Sequence, residues 1–320
     1  MKNKIALIMG ITGQDGAYLA EHLIKRKYKV YGIVRRKKNT YSNLNRLNIR
    51  KNIILKKINT LNYSNTNKFL KLINPSEIYN LSGVSSVGYS FKNPKETYES
   101  IIVPTFNVLQ SIYSLNLKTK FYNSCSSECF GNVNKGYSVE NDKFSPISPY
   151  GYAKATSFEI TKFYREKYNI FASSGIAYNH ESPLRGKNFI CKKIIRDAIN
   201  IKKNKQVSFK VGNINIIRDW GWAPDFVKGY KKIIDYDIPD DFIICSKNLA
   251  SLEDIIKYVF KKFNLDYKKY IEISQNNIRK NDILRSAGSN SKILKKLKWQ
   301  HKFNLDQILD KMINSEIRKI

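Results

Sequence analysis

The stretch IALIMGITGQDGAYLAEHLIKRK, residues 5–27, decides the fold. Its opening run IALIM is wholly apolar and short, as a strand buried on both faces requires. Gly10, Gly13 and Gly16 follow at a Gly-x-x-Gly-x-x-Gly spacing. Beyond them Ala17, Ala20 and Ile24 recur at three and four, the period of a helix that buries one face. In a strand, glycine turn and helix of this order, the glycines let the backbone turn tightly and approach a pyrophosphate. The ligand's charge then meets the helix N-terminus, so these three glycines are candidate dinucleotide-binding positions.

The same rhythm continues outward. KVYGIV (29–34), NIILKKI (52–58), EIYNLSG (77–83) and KFYNSCS (120–126) are strand-sized and rich in β-branched and aromatic residues. TNKFLKLI (66–73) and TFNVLQSIYSLN (105–116) between them carry the helical period. Such alternation predicts an α/β fold built on a doubly wound parallel sheet covered on both faces. Past residue 180 the rhythm loosens, with helical runs at 192–203, 252–263 and 305–313. We expect residues 1–180 to form the dinucleotide-binding domain, with some later segments returning to it. Residues 181–320 should form mainly a smaller, mixed substrate-binding lobe, with a cleft between the two.

Composition narrows the class. The chain has 320 residues, 57 Lys and Arg against 26 Asp and Glu, and a formal charge of +31. The basic residues fall in short scattered groups such as RRKK (35–38) and KILKKLK (292–298), so they read as solvated faces rather than a nucleic-acid-binding arm. No run of about 18 apolar residues predicts a membrane span, and a cytoplasmic protein is expected. The four cysteines, Cys125, Cys129, Cys191 and Cys245, form no Cys-x-x-Cys pair and read as reduced thiols without a structural metal.

After KVYGIV, where an NAD site commonly offers an acidic residue to the ribose, stand Arg35 and Arg36. Two guanidinium groups suit a 2′-phosphate, which predicts NADP. The fifth strand runs into SCSSECFG, placing Ser126 and Glu128 beyond a strand's carboxyl end, where ligands lie in such sheets. In SPYGYAK (148–154), Tyr150 and Lys154 are one helical turn apart and can share a face. A phenol with a pKa of about 10 needs a nearby cation, the lysine or an oxidised nicotinamide, to act as a base near neutrality. Tyr152 points elsewhere and reads as a packing residue. Glu128 is the informative addition: once a sugar carbon is a ketone, a positioned carboxylate can remove the neighbouring acidified proton and assist loss of water.

These residues resemble the extended short-chain dehydrogenase/reductases, with their Rossmann-like domain, and within them the GDP-mannose 4,6-dehydratase family. The stretches that carry the resemblance are GITGQDGAYLAEHL, GIVRR, YNLSGVSSVGYSF, FYNSCSSECFG, SPYGYAKA, YREKYNIFASSGIAYNHESPLRG and IIRDWGWAPDFV. It implies tightly held NADP and conversion of GDP-mannose to GDP-4-keto-6-deoxymannose, by oxidation at C4, elimination of water across C5 and C6, and reduction at C6. By position it implies that Ser126, Glu128, Tyr150 and Lys154 are catalytic, Tyr150 and Lys154 also touching the cofactor. Asn179, Lys193, Arg218 and Arg279 would hold the nucleotide-sugar. Arg185, with the loop after Arg36, matches positions that bring subunits together around neighbouring cofactors, so a homodimer or homotetramer is implied.

Some positions depart from the family pattern. Asp282 in RKND stands where a nucleotide-holding glutamate is usual, Asn59 replaces an aspartate near the adenine, and Val84 and Ser86 replace Gln and His. These departures leave open another nucleotide-sugar, such as GDP-manno-heptose, and an epimerase. A non-catalytic dinucleotide sensor or a nucleic-acid-binding protein are the readings from other classes.

Overall fold

The computed structural model describes residues 4–34, 41–274 and 281–318. Seven strands make the central sheet: β1 (Ile5–Met9), β2 (Lys29–Val34), β3 (Ile53–Lys57), β4 (Glu77–Asn80), β5 (Lys120–Ser126), β6 (Ala172–Ala177) and the strand Phe242–Ile244. All pairs are parallel, in the order Phe242–Ile244, β6, β5, β4, β1, β2, β3. The order reverses between β1 and β4, and the crevice at that point, beyond the strands' carboxyl ends, is where ligands bind in doubly wound sheets.

Both faces of the sheet are covered because alternate residues of each strand point to opposite sides. Ala6 and Ile8 of β1 join a core with α1 (Gln14–Lys25) and, through Val227, Tyr230 and Ile234, the later helix Ala223–Asp235. Leu7 and Met9 face the other way, onto Phe69 and Leu70 of Tyr63–Ile73, Val108 and Ile112 of Pro94–Ser114, and Tyr164 of Pro149–Tyr168. A second core lies in the C-terminal third, where Ile190–Lys202, Leu252–Lys262 and Leu305–Ile317 pack around Phe209, Val211 and Trp220. The helix Ala223–Asp235 and the strand Phe242–Ile244 belong to the first body although they come late in the chain.

The helix expected at 105–116 begins eleven residues earlier, at Pro94, and runs to Ser114. Proline at its first position needs no N–H there, and its first turns are too polar to show the apolar period. The strand expected at 77–83 ends at Asn80, and the chain then turns through Gly83 at φ 110°.

Candidate active site

The glycine turn leaves room for a dinucleotide only where side chains are missing. Gly10 has φ 79°, and a Cβ there would lie 2.5 Å from the Leu81 carbonyl oxygen at the end of β4. A Cβ on Gly16 would come within 2.4 Å of the Gly10 oxygen, and the Gly13 N–H donates to that oxygen at 3.0 Å. Gly13 caps α1 and has no side chain to bond the first-turn N–H groups, which leaves them for an anion. These residues fit a pyrophosphate-bearing dinucleotide.

Two strands along the sheet from β1, β5 delivers the reacting groups. Ser126 ends β5, and its Oγ accepts the Glu128 N–H at 3.3 Å, bending the chain into the short turn Ser127–Cys129. The helix Pro149–Tyr168 starts against this turn. Ser148 caps it by accepting the Gly151 N–H at 3.0 Å. A Cβ on Gly151 would lie 2.8 Å from the Glu128 carbonyl oxygen, so glycine is what lets the helix start sit on the turn.

Tyr150 is thereby placed beside Ser126, whose hydroxyl favours the ionised phenol. Burial pushes the phenol above its usual range; the Ser126 hydrogen bond opposes this, and the Glu128 carboxylate adds to it. Lys154 is buried, donates to the Ser124 carbonyl at 2.6 Å, and holds Nζ 5.9 Å from the centre of the Tyr150 ring. Burial pulls its ammonium below the usual lysine range, against the nearby Cys125, Cys129 and Asp15. In the chain by itself the net shift of the phenol is upward, because burial outweighs the groups that favour its ionised form. Tyr152, expected to pack, is instead 54% exposed.

On the opposite wall Asn179 follows β6, its carbonyl accepting from the Gly221 N–H at 2.8 Å. His180–Glu181 then pairs in parallel with Gly221–Trp222. Arg218 and Asp282, two expected nucleotide contacts, meet each other: Nη2 lies 3.3 Å from Oδ1, and Arg218 Nη1 donates to the Ile217 carbonyl at 3.0 Å. Lys193 donates to the Lys210 carbonyl at 2.7 Å and is half-buried. Arg185 stacks 3.8 Å from the Phe189 ring centre, with Nε 3.4 Å from a Glu181 oxygen. Asn59 lies in the exposed turn after β3, its side chain accepting the Leu61 N–H at 3.2 Å. Ser86 caps the helix Val87–Lys92. Arg35, Arg36 and Arg279 lie outside the described residues.

The structure brings Ser126, Glu128, Tyr150 and Lys154 to one strand end and one helix start. It adds two groups that the sequence did not single out, the Ser124 carbonyl and Gly151. Neither has a chemical signature in sequence, since one acts through main chain and the other through a missing side chain. Two surface hollows, one lined by His22, Arg26, Lys228 and Lys232 and one by Arg46, Pro183 and Lys311, include none of these residues.

The family model described as GDP-mannose 4,6 dehydratase matches residues 7–312. This chain belongs to the GDP-mannose 4,6-dehydratase family. Within the family it is 33% identical to GDP-mannose 4,6 dehydratase 1 of Arabidopsis thaliana, covering 98% of this chain and 90% of the relative. It is 33% identical to the GDP-mannose 4,6-dehydratase of Vibrio cholerae serotype O1, over 100% of this chain and 95% of that one. Among solved structures, a dTDP-glucose 4,6-dehydratase from Streptomyces venezuelae with NAD bound superposes with a TM-score of 0.88 at 15% identity, covering 98% and 97% of the two chains. A UDP-glucose 4-epimerase from Thermotoga maritima gives 0.87 at 19%, over 98% and 99%. The family's fold is thus shared with enzymes acting on other nucleotide-sugars.

Proposed function

We propose that the protein converts GDP-mannose to GDP-4-keto-6-deoxymannose and water, using Ser126, Glu128, Tyr150 and Lys154. Membership of the GDP-mannose 4,6-dehydratase family gives the reaction class. The observation that carries the site is a carboxylate beside a half-buried tyrosine: the main chain of Glu128 is set by the Ser126 hydroxyl, and its carboxylate lies close enough to Tyr150 to raise the phenol.

A nicotinamide dinucleotide held at Gly10, Gly13 and Gly16 would supply oxidation of the C4 alcohol and, after water is lost, reduction at C6. Tyr150 takes the C4 hydroxyl proton, while Ser126 hydrogen-bonds the same oxygen and orients it; C4 stays a ketone, and the proton count closes when C5 takes up a proton from the site as C6 is reduced. Lys154 holds a positive charge beneath the tyrosine. It offsets the negative charge of Glu128 and of the phenolate once the site is closed to water. Glu128 removes the C5 proton, acidified by the adjacent ketone, and passes a proton to the departing C6 hydroxyl so that it leaves as water. The raised phenol makes Tyr150 a poor base in the chain alone, which couples its deprotonation to the arrival of a cationic cofactor ring.

The reading includes NADP, because Arg35 and Arg36 follow Val34 directly at the end of β2, where no acidic residue offers itself to a ribose. Fluorescence titration should give tighter binding of NADP⁺ than of NAD⁺; the reverse order would overturn this part. It includes Asn179, Lys193, Arg218, Arg279 and Asp282 as the nucleotide-sugar set, with Arg218 held by Asp282, and Asn59 and Arg185 toward the cofactor. It includes the division at residue 180, with the late segment 223–244 assigned to the first domain, and a cytoplasmic location. No helix among the described residues is long and apolar enough to cross a membrane.

Self-association is part of the same reading. Phe106, Tyr113, Tyr152 and Phe163 are 45%, 49%, 54% and 49% exposed on the paired helices Pro94–Ser114 and Pro149–Tyr168. An exposed aromatic face of this kind suits a second copy of the chain. Light scattering should show a dimer or tetramer that Phe106→Glu with Phe163→Glu dissociates, and a monomeric unaltered protein would contradict it.

The substrate is tested by offering GDP-mannose, GDP-manno-heptose, UDP-glucose and dTDP-glucose in one mass-spectrometric assay. Loss of water from GDP-mannose without added reductant is expected. Preference for a UDP- or dTDP-sugar would sink the assignment, and preference for the heptose would trace to Asp282, one methylene shorter than the family's glutamate.

A further inference from the structure

The glycine turn carries a carboxylate, Asp15, in the first turn of α1. A negative charge there competes with a pyrophosphate for the same helix end, so it needs a partner to be tolerated. The structure provides several. His180 Nε2 lies 2.8 Å from Asp15 Oδ2, the Tyr230 hydroxyl donates to that oxygen at 2.9 Å, and Gln14 Nε2 reaches the other oxygen at 3.2 Å. Burial opposes ionisation of Asp15, yet the charge and hydrogen bonds of His180 outweigh it and hold the carboxyl down at about 2.

The imidazole is fixed on every side. Its Nδ1 is 2.7 Å from the Tyr178 carbonyl, so both ring nitrogens face acceptors, and both contacts are hydrogen bonds only when each nitrogen carries a proton. Phe226 stacks on the ring with centroids 4.5 Å apart. Gln14 repeats the link, donating to the His180 carbonyl at 3.2 Å and accepting from Ser182 Oγ at 2.7 Å. His180 directly follows Asn179 and pairs with Gly221, two residues from Asp219 of the Arg218 strand. One part-buried bridge thus joins the glycine turn to the segment that carries the nucleotide-sugar positions.

We propose that Asp15 and His180 are positioning residues whose bridge couples the dinucleotide turn to the nucleotide-sugar segment, so that dinucleotide and GDP bind cooperatively. This rests on the function proposed above. Without His180 the Asp15 carboxylate faces the pyrophosphate uncompensated. Without Asp15 the turn loses its charge but also its hold on the segment carrying Asn179.

The test is calorimetric titration of NADP⁺ with and without saturating GDP, on protein freed of bound nucleotide. The unaltered protein should bind NADP⁺ about ten-fold more tightly when GDP is present. His180→Asn should weaken NADP⁺ binding and bring that ratio close to one. Asp15→Asn should keep NADP⁺ affinity while losing the ratio, and the double variant should recover the affinity lost in His180→Asn without recovering the ratio. That rescue is a signature that a merely folding role would not give. Tyr230→Phe removes a hydrogen bond from the same carboxylate but not the bridge, and should leave the ratio intact. An unaltered protein without coupling, or variants that keep it, would overturn the proposal. Failure of the unaltered protein to bind GDP or NADP⁺ at all would overturn the function reading instead.

Discussion

Glu128 separates dehydration from simple oxidation and reduction. Glu128→Gln keeps the size and the main-chain contact to Ser126 but cannot accept the C5 proton. Turnover of GDP-mannose should fall by about 10²–10⁴-fold, while GDP and dinucleotide binding stay near those of the unaltered protein in calorimetry. Full dehydration by this variant would remove the proposed base. A second residue tests the electrostatics. Burial, then Arg26, Lys228 and Lys231, push His22 down to about 4. Between pH 4 and the ordinary histidine value of about 6.5 the unfolded chain binds the extra proton and the folded one does not. Stability is therefore complete above pH 6.5 and falls as pH drops toward 4. A nuclear magnetic resonance titration should place the His22 midpoint near the low end of that window, and His22→Gln should flatten the stability profile across it. At this scale Tyr150, Lys154, Ser126 and Glu128 were legible, because their chemistry and spacing are written in side chains. Ser124 and Gly151 were not, and neither was the direction of the Tyr150 shift, which depends on burial.

Helix starts and ends show how the elements hold the site. Gly151→Ala places a methyl 2.8 Å from the Glu128 oxygen. It should cost about 1–3 kcal/mol and lower turnover more than GDP affinity, readable as a denaturation midpoint beside steady-state kinetics. Helix ends use asparagine: Asn48, Asn74, Asn116, Asn169, Asn204 and Asn264 all take positive φ, where glycine is the commoner choice. Asn169→Val, at φ 50° after the Pro149–Tyr168 helix, should destabilise by about 1–2 kcal/mol, whereas Asn169→Gly should be near neutral; equal effects in thermal melts would contradict this. The Asn-rich composition is in this sense structural punctuation. Strands β1 to β5 were legible because apolar and β-branched runs sit between glycine and polar turns. Strand β6, ASSGIA, was hidden by its small residues, which the structure needs because a Cβ at Gly175 would lie on the Tyr122 hydroxyl. The return of Ala223–Asp235 and Phe242–Ile244 to the sheet could not be read locally, since it depends on long-range pairing with β6 and packing on α1.

Across the whole molecule the charge of +31 is spread rather than gathered. Some of it is spent in buried pairs: Lys231 with Glu77 at 3.3 Å, Lys192 with Glu316 at 2.9 Å, and Arg165 with Asp241 at 2.6 Å. The exposed remainder repels itself, and salt screens such repulsion over about 10 Å at 0.1 M. Raising sodium chloride from low to moderate concentration should therefore raise the melting temperature; a fall would mean that surface ion pairs outweigh the repulsion. The two-sided sheet, the second core and the turn at β5 all serve one claim, that a single site oxidises, eliminates water and reduces. The most direct measurement is incubation of the protein with GDP-mannose in deuterium oxide, without added reductant, followed by mass spectrometry and nuclear magnetic resonance. The expected product is a 4-keto-6-deoxy sugar lacking one water and carrying one solvent deuteron at C5. Unchanged GDP-mannose in the presence of bound dinucleotide, or a keto product that retains its C6 hydroxyl, would contradict it.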